Sequence, residues 1–400
     1  MRILYLHQYF MTRAGVGGTR SYEFARRFVA RGHEVSMVTA ASSPGARRER
    51  VDGIDVIPVG GGYSDYVRGT KLRYPRRLLE FGRFALGAAW TVLRVPRPDV
   101  VYATSPPLTM AIPALAAARR HGVPLVFEVR DLWPEAPIQM GALSNPLAQR
   151  LARALERLVY RSAAHVIALS PGMREGVIAA GIPPEGVTLV PNASDLELFS
   201  PDLDGSEVRE RLGLGGRFVV SYFGTMGEAN DLTQVIEAAE RIEDSSVAFV
   251  LHGDGKRRAQ LEELAGRRGG GNVIFSEPVP DKASVARLAA ASDACMTIYK
   301  DVPILYTCSP NKLFDTFAAG RAAIVNTPGW MRQLVEENEA GLYARAGDPA
   351  DLAAKVAFLR DHPEETRRYG ENARRLAEEE FGRDMLAERA LGVLERAART

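Results

Sequence analysis

The feature that most restricts how this chain can fold is an alternation that occurs twice. Short apolar runs alternate with longer stretches of helical period, first over residues 3–190 and again over 218–337. Parallel strands covered by helices on both faces lose the apolar–polar alternation of a half-wetted sheet and read as continuous apolar runs. In the first half such runs fall at 3–6, 34–39, 54–58, 100–103, 125–128, 166–168 and 187–190. Helical patterns fall between them at 20–31, 75–93, 108–121, 146–162 and 172–180. Residues 192–216, rich in Asp, Gly and Pro, interrupt the series and read as a linker. The second half places strands at 218–222, 248–251, 273–275, 294–298 and 322–325, with helices at 232–242, 257–267, 284–291, 312–319 and 330–337. From Pro349 the tail is helical, broken at Pro363 and Gly382. The spacing predicts an α/β chain of two doubly wound domains, 1–200 and 217–380, facing a cleft, with a helix over 381–400 returning to the first domain. In such sheets ligands gather beyond the carboxyl ends of the strands.

Composition narrows the classes. At 400 residues and 46% hydrophobic content there is enough chain for two cores, and a net charge of +2 is too small to imply nucleic-acid binding by bulk field. Two cysteines, Cys295 and Cys308, cannot make a disulfide framework, and a reducing compartment is expected. The chain opens on a strand without a secretory pattern, and no uncharged apolar run approaches the roughly 18 residues of a membrane span. A cytoplasmic protein, soluble or peripheral, is expected. The histidines are scattered and show no metal-ligand spacing, so no metal is expected; His7 closes the first strand, near the cleft.

Five stretches carry candidate chemistry. Ser309-Pro310-Asn311-Lys312-Leu313-Phe314-Asp315 leads from a polar loop into a helix. A junction of this kind aims free N–H groups and the positive dipole end at one point, suited to a diphosphate, with Asp315 about one turn in for a sugar hydroxyl. It reads equally as an ordinary helix start with Ser309 as N-cap and Pro310 in the first turn. Gly15, Gly17 and Gly18 follow the first strand, but Arg20 stands where the dinucleotide fingerprint needs glycine, and strand two ends without the ribose-gripping acid. What remains is a loop able to approach a ligand closely. Glu128, Arg130, Asp131 and Glu135 crowd the end of a strand; a site role fits, and so does a simple Arg130–Asp131 pair. Gly224, Thr225 and Asn230 follow the first strand of the second domain, and Gly253 and Lys256 follow its second. With 6 lysines against 45 arginines, Lys256 and Lys312 at strand ends stand out as site cations. Finally, residues 68–97 hold eight Arg or Lys against one acid, Glu80, interleaved with Leu79, Leu86 and Trp90. That pattern suits an anionic membrane surface, or a helix packed on the sheet.

With these residues in view, the chain resembles the retaining glycosyltransferases of family 4. The marks are LHQYF, GVGGTRSYEFARRFVARGHEV, EVRDLWPE, YFGTMGEAND, GDGKRRAQLE and SPNKLFDTFAAGR. The likeness is greatest to the O-antigen and capsule branch typified by N-acetyl-L-fucosamine transferases. It implies the GT-B fold and transfer of a sugar from a nucleotide donor, expected to be UDP-linked, to a lipid-linked or glycan acceptor in envelope polysaccharide synthesis. Peripheral contact with the inner membrane face is expected from residues 68–97. The family's paired acids fall on Thr307 and Asp315, so only the ribose contact has its acid. Its usual arginine and lysine fall on Thr225 and Asn230, leaving Lys312, with Lys256 or Arg130, to neutralise phosphate. Its strand-end histidine falls on Arg130. Gly17 and Gly18 would close over the diphosphate, Gly224, Thr225 and residues 309–313 would hold it, and Glu277 and Val279 would flank the base. Asp131 would orient the acceptor or take its proton. A nucleotide-sugar 2-epimerase and a non-catalytic sugar-nucleotide scaffold are the alternatives.

Overall fold

The computed structural model describes residues 1–399 apart from 16, 44, 61–73, 243–244, 269–270 and 278–280. Its first half is an eight-stranded sheet. The strands are β1 (Arg2–Leu6), β2 (Glu34–Ala40), β3 (Glu49–Val51), β4 (Ile54–Val59), β5 (Val100–Thr104), β6 (Leu125–Val129), β7 (His165–Ala168) and β8 (Val187–Leu189). They lie in the order β3-β4-β2-β1-β5-β6-β7-β8, parallel except for β3 against β4. The second half is a six-stranded parallel sheet. Here β9 (Phe218–Phe223), β10 (Val247–His252), β11 (Val273–Ser276), β12 (Ala294–Thr297), β13 (Ala322–Val325) and β14 (Gly341–Tyr343) lie in the order β11-β10-β9-β12-β13-β14. The two doubly wound sheets are the GT-B architecture expected from sequence.

Helix starts follow simple chemistry. Asn145, Ser170, Asp281 and Asp348 each accept a hydrogen bond from a backbone N–H in the first turn of the helix that follows, and proline takes an early helical position after Asn145, Ser170 and Asp348. Reading the sequence missed β3, although Asp52 (φ 46°) and Gly53 (φ 81°) form the Asp-Gly turn that favours a hairpin. The short strand β14 was also missed.

The chain crosses between the domains twice, side by side. Ser194 and Gly382 form an isolated bridge, and the Ser194 N–H donates to the Phe381 carbonyl at 2.8 Å. The helix Arg383–Arg399 then lies along the helix Arg20–Ala30, burying Leu386, Ala390 and Leu394. Phe381 sits at the junction of the second crossing, 4.9 Å between ring centroids from Phe314 and 6.5 Å from Phe317. It therefore backs the helix Asn311–Ala318, whose start looks toward the other domain.

Candidate active site

After β12 the chain makes a single 3-10 turn, Pro303–Thr307, and then the helix Asn311–Ala318. Pro310 is the N-cap residue and offers no side-chain acceptor; Leu313 N–H bonds back to the Pro310 carbonyl. The N–H groups of Asn311 and Lys312 are left without partners among the described residues, at the positive end of the dipole. Leu313, Phe314 and Phe317 are fully buried and fix the helix in place.

Lys312 is the second residue of that helix. Its Nζ donates to Tyr222 Oη at 2.8 Å and lies 4.2 Å from the Tyr222 ring centroid, while Tyr222 Oη donates to the Thr225 carbonyl at 2.7 Å. Gly224 has φ 143°, a backbone region that favours glycine, and a Cβ built there would stand 3.3 Å from Lys312 Nζ. Burial pushes the Lys312 amine down to about 7. An anion placed beside it would restore the proton.

The opposing wall comes from the first domain. Arg130, one residue past β6, donates from Nη1 to His7 Nε2 at 3.2 Å. A Cβ built on Gly18 would stand 3.3 Å from Arg130 Nη2 and 3.4 Å from Asn311 Nδ2. The glycine loop, Arg130 and the start of the second-domain helix thus converge on one place, with exposed Gly17 (φ 141°) at the rim. Beside Arg130, the Asp131 carboxyl makes no hydrogen bond among the described residues. Burial raises it to about 6 against the opposing pull of Arg130.

Several expectations are corrected by this geometry. Arg130 does not pair with Asp131. Glu128 is not a site group at all: it lies in the core, accepting from Arg20 at 2.9 Å, Tyr102 at 2.6 Å and Thr104 at 2.7 Å. Ser309 is no N-cap; its hydroxyl accepts from Asn192 N–H, fastening the domains together. The Gly224 N–H donates to the His252 carbonyl and is unavailable to a ligand, whereas the exposed Thr225 N–H has no partner among the described residues. A Cβ on Gly253 would stand 1.9 Å from the Gly224 carbonyl oxygen, so its glycine serves loop packing. Asn230 donates to the Ile298 carbonyl and ties its loop to β12. Lys256 is exposed, and no contact joins it to Lys312. Glu277 is exposed and 3.4 Å from Arg258; Val279 lies outside the described residues.

Asp315 is nearly covered. Its Oδ1 accepts from Lys282 Nζ at 3.0 Å, and Lys282 continues to Asp195 (3.6 Å), which pairs with Arg383 (2.6 Å), which in turn meets Glu23 (3.1 Å). This buried chain of charges runs from the site helix to the first domain. Asp315 Oδ2 has no partner among the described residues. Thr307, in place of the family's first acid, is packed into the domain contact: its carbonyl accepts from Ser170 Oγ at 2.5 Å, and a Cβ on Gly172 would stand 2.9 Å from its methyl. Sequence reading missed Tyr222, Lys282 and the role of His7, because nothing local marks a side chain whose partner lies 33 to 123 residues away.

Among the described residues no group of three or more His, Cys, Asp or Glu could hold a metal ion, and no helix is long and apolar enough to cross a membrane. Residues 16–193 match the model of the glycosyl transferase 4-like domain, and residues 217–362 match that of the glycosyl transferases group 1. The putative colanic acid biosynthesis glycosyl transferase WcaI of Escherichia coli is 28% identical over 296 residues, 71% of this chain and 72% of that protein. Among solved structures, sucrose-phosphate synthase from Thermosynechococcus elongatus superposes with a TM-score of 0.80 at 19% identity, covering 99% of this chain and 98% of that one. Anabaena Alr3699/HepE in complex with UDP-glucose gives 0.75 at 19% identity, covering 99% and 100%. Both structures share the fold. With its two halves matched in this order, the chain belongs to the GT-B glycosyltransferases, built from a glycosyl transferase 4-like domain and a group 1 domain.

Proposed function

We propose that this glycosyltransferase moves a sugar from a UDP-linked donor, with retention, to a lipid-linked or glycan acceptor in envelope polysaccharide synthesis, as in the O-antigen and capsule branch. One observation carries it: the helix start that holds two uncapped N–H groups and Lys312 meets Arg130 and Gly18, through Asn311, across the domain junction. Negative charge grows on the departing nucleoside diphosphate, and donors already aimed at that point cost no reorganisation. The Asn311 and Lys312 amides, the Thr225 amide and Lys312 take the diphosphate from one side, and Arg130 takes it from the other. The base lies toward Glu277, and Asp315 Oδ2 accepts from a ribose hydroxyl. The acceptor hydroxyl enters beside Asp131, which orients it. In a same-face displacement the leaving phosphate oxygen takes the acceptor proton. The UDP nucleotide is supported by the Anabaena complex, and the polysaccharide setting by the colanic acid relative.

Contact with an anionic inner membrane face, placed at residues 68–97, is supported from residue 76 onward. Leu79, Leu86 and Trp90 are 61%, 69% and 64% exposed. On the same face of the sheet, the helix Pro146–Ser162 exposes Leu147, Leu151 and Leu158 alongside Arg150, Arg157 and Arg161, with no acid among its exposed positions. Each such cation gains about 1 kcal/mol near anionic lipid.

The test is product analysis with a panel of UDP-, GDP- and dTDP-sugars and a polyprenyl-diphosphate-sugar acceptor. An α-linked donor should yield an α-linked product by NMR. An inverted product would refute retention. Sugar epimerised without acceptor would establish the epimerase instead, and binding without turnover or slow donor hydrolysis would establish the scaffold.

A further inference from the structure

We infer that His7 is a positioning residue for Arg130, holding the guanidinium at the cleft without neutralising it. The inference rests on the reading above, in which Arg130 meets the diphosphate. His7 follows β1 directly, with its backbone N–H bonded to the Val38 carbonyl, and the residue is 3% exposed. Its two ring nitrogens have different partners: Nε2 faces Arg130 Nη1 at 3.2 Å, and Nδ1 faces Ser21 Oγ at 2.7 Å. A guanidinium can only donate, so Nε2 must offer its lone pair. The single ring proton then sits on Nδ1 and is donated to Ser21, in the first turn of the helix that follows the glycine loop. The tautomer is thus set by the partners. Burial and the Arg130 charge both hold His7 well below the usual imidazole range, in keeping with a neutral ring.

This arrangement solves a conflict. A long arginine side chain needs a partner to fix it, because rotamer entropy opposes any one pose. The usual partner is a carboxylate, which would spend the positive charge. Arg130 makes no ion pair among the described residues, and the carboxylate at the end of β6, Glu128, is held by Arg20 instead. A neutral imidazole anchors Nη1 and leaves Nη2, beside Gly18 and Asn311, fully charged for an anion.

The experiment measures by calorimetry the binding of whichever of UDP, GDP and dTDP binds most tightly, and of its nucleoside. The dissociation constant of the nucleoside divided by that of the nucleotide isolates the diphosphate. Variants are His7→Leu, His7→Gln, Arg130→Ala and the His7→Leu/Arg130→Ala pair, each with its melting temperature. Loss of an anchored charge-assisted contact should lower the ratio about tenfold in His7→Leu. His7→Gln, whose amide oxygen can accept, should stay within about threefold of wild type. In the Arg130→Ala background, His7→Leu should change the ratio no further. An unchanged ratio in His7→Leu, or an equal fall in both backgrounds, overturns the inference, as does a lowered melting temperature with no change in ratio. If Arg130→Ala itself leaves the ratio intact, the donor-site reading of Arg130 fails and takes this inference with it. Failure of all three nucleotides to bind has the same consequence.

Discussion

Replacing Lys312 with methionine keeps the length of the side chain and removes the ammonium. A charge-assisted hydrogen bond to phosphate is worth about 1.5–3 kcal/mol, so nucleotide-sugar binding should weaken roughly ten- to a hundredfold at pH 6.5. The pH dependence is the sharper part. Burial puts the free enzyme's Lys312 at about 7, far below 10.5, the ordinary value for lysine. The unfolded chain therefore holds the extra proton between about 7 and 10.5, and the unliganded protein gains stability as pH rises through that window. A bound diphosphate reverses this by favouring the ammonium. Above pH 7 binding must take up a proton, and affinity should fall by up to about tenfold per pH unit until the bound-state value is reached. Below pH 7 the amine is already charged and Lys312 contributes no slope. A nucleotide sugar has no phosphate ionisation in this range, so the ligand adds none of its own. Calorimetry in buffers of differing ionisation enthalpy counts the protons directly. Wild type at pH 8 should take up close to one, and Lys312→Met none. Lys312→Met binding within twofold of wild type, or the same proton uptake in both, would refute the assignment.

Asp131→Asn should lower kcat by about tenfold or more while leaving the donor KM within about twofold, and should abolish an acidic limb near pH 6 in the kcat profile; a shift in donor KM alone would place Asp131 in the donor site instead. Phe381→Ala should cost about 3–5 kcal/mol in denaturant unfolding, because it empties the space behind the helix that carries Lys312; a loss under 1 kcal/mol would show that helix to be held by other contacts. Leu86→Glu/Trp90→Glu and Leu151→Glu/Leu158→Glu should each reduce co-sedimentation with vesicles containing anionic lipid by about tenfold, with unchanged melting temperatures, since these side chains are exposed. Equal sedimentation of wild type with neutral and anionic vesicles would contradict a charge-driven contact.

Much of the architecture was legible because its causes are local. Apolar runs mark buried parallel strands, and Asn145-Pro146, Ser170-Pro171 and Asp348-Pro349 each mark a helix start within two residues. The site was legible as a set of loops, because Gly17, Gly18, Gly224 and the 309–315 junction lie at strand ends by topology. Individual roles were not. Glu128 and Arg130 alternate along one chain end, yet one turns into the core to Arg20 and the other to His7, a choice made by partners 108 and 123 residues away. Asn230 and Ser309 look like ligand groups in sequence because a side-chain amide or hydroxyl that satisfies a distant carbonyl or N–H carries no local sign. Asp315 was placed correctly on its helix, and its coupling to Lys282 and Asp195 depends on the crossing segments, which no periodicity predicts.

The most direct measurement is a crystal structure of the protein with its tightest-binding nucleoside diphosphate. The β-phosphate oxygens should lie within about 3.2 Å of the Asn311 or Lys312 N–H groups and of Lys312 Nζ, with Arg130 Nη2 reaching them from the other domain. A diphosphate bound elsewhere, with Lys312 still on Tyr222 and Arg130 turned away, would contradict the account.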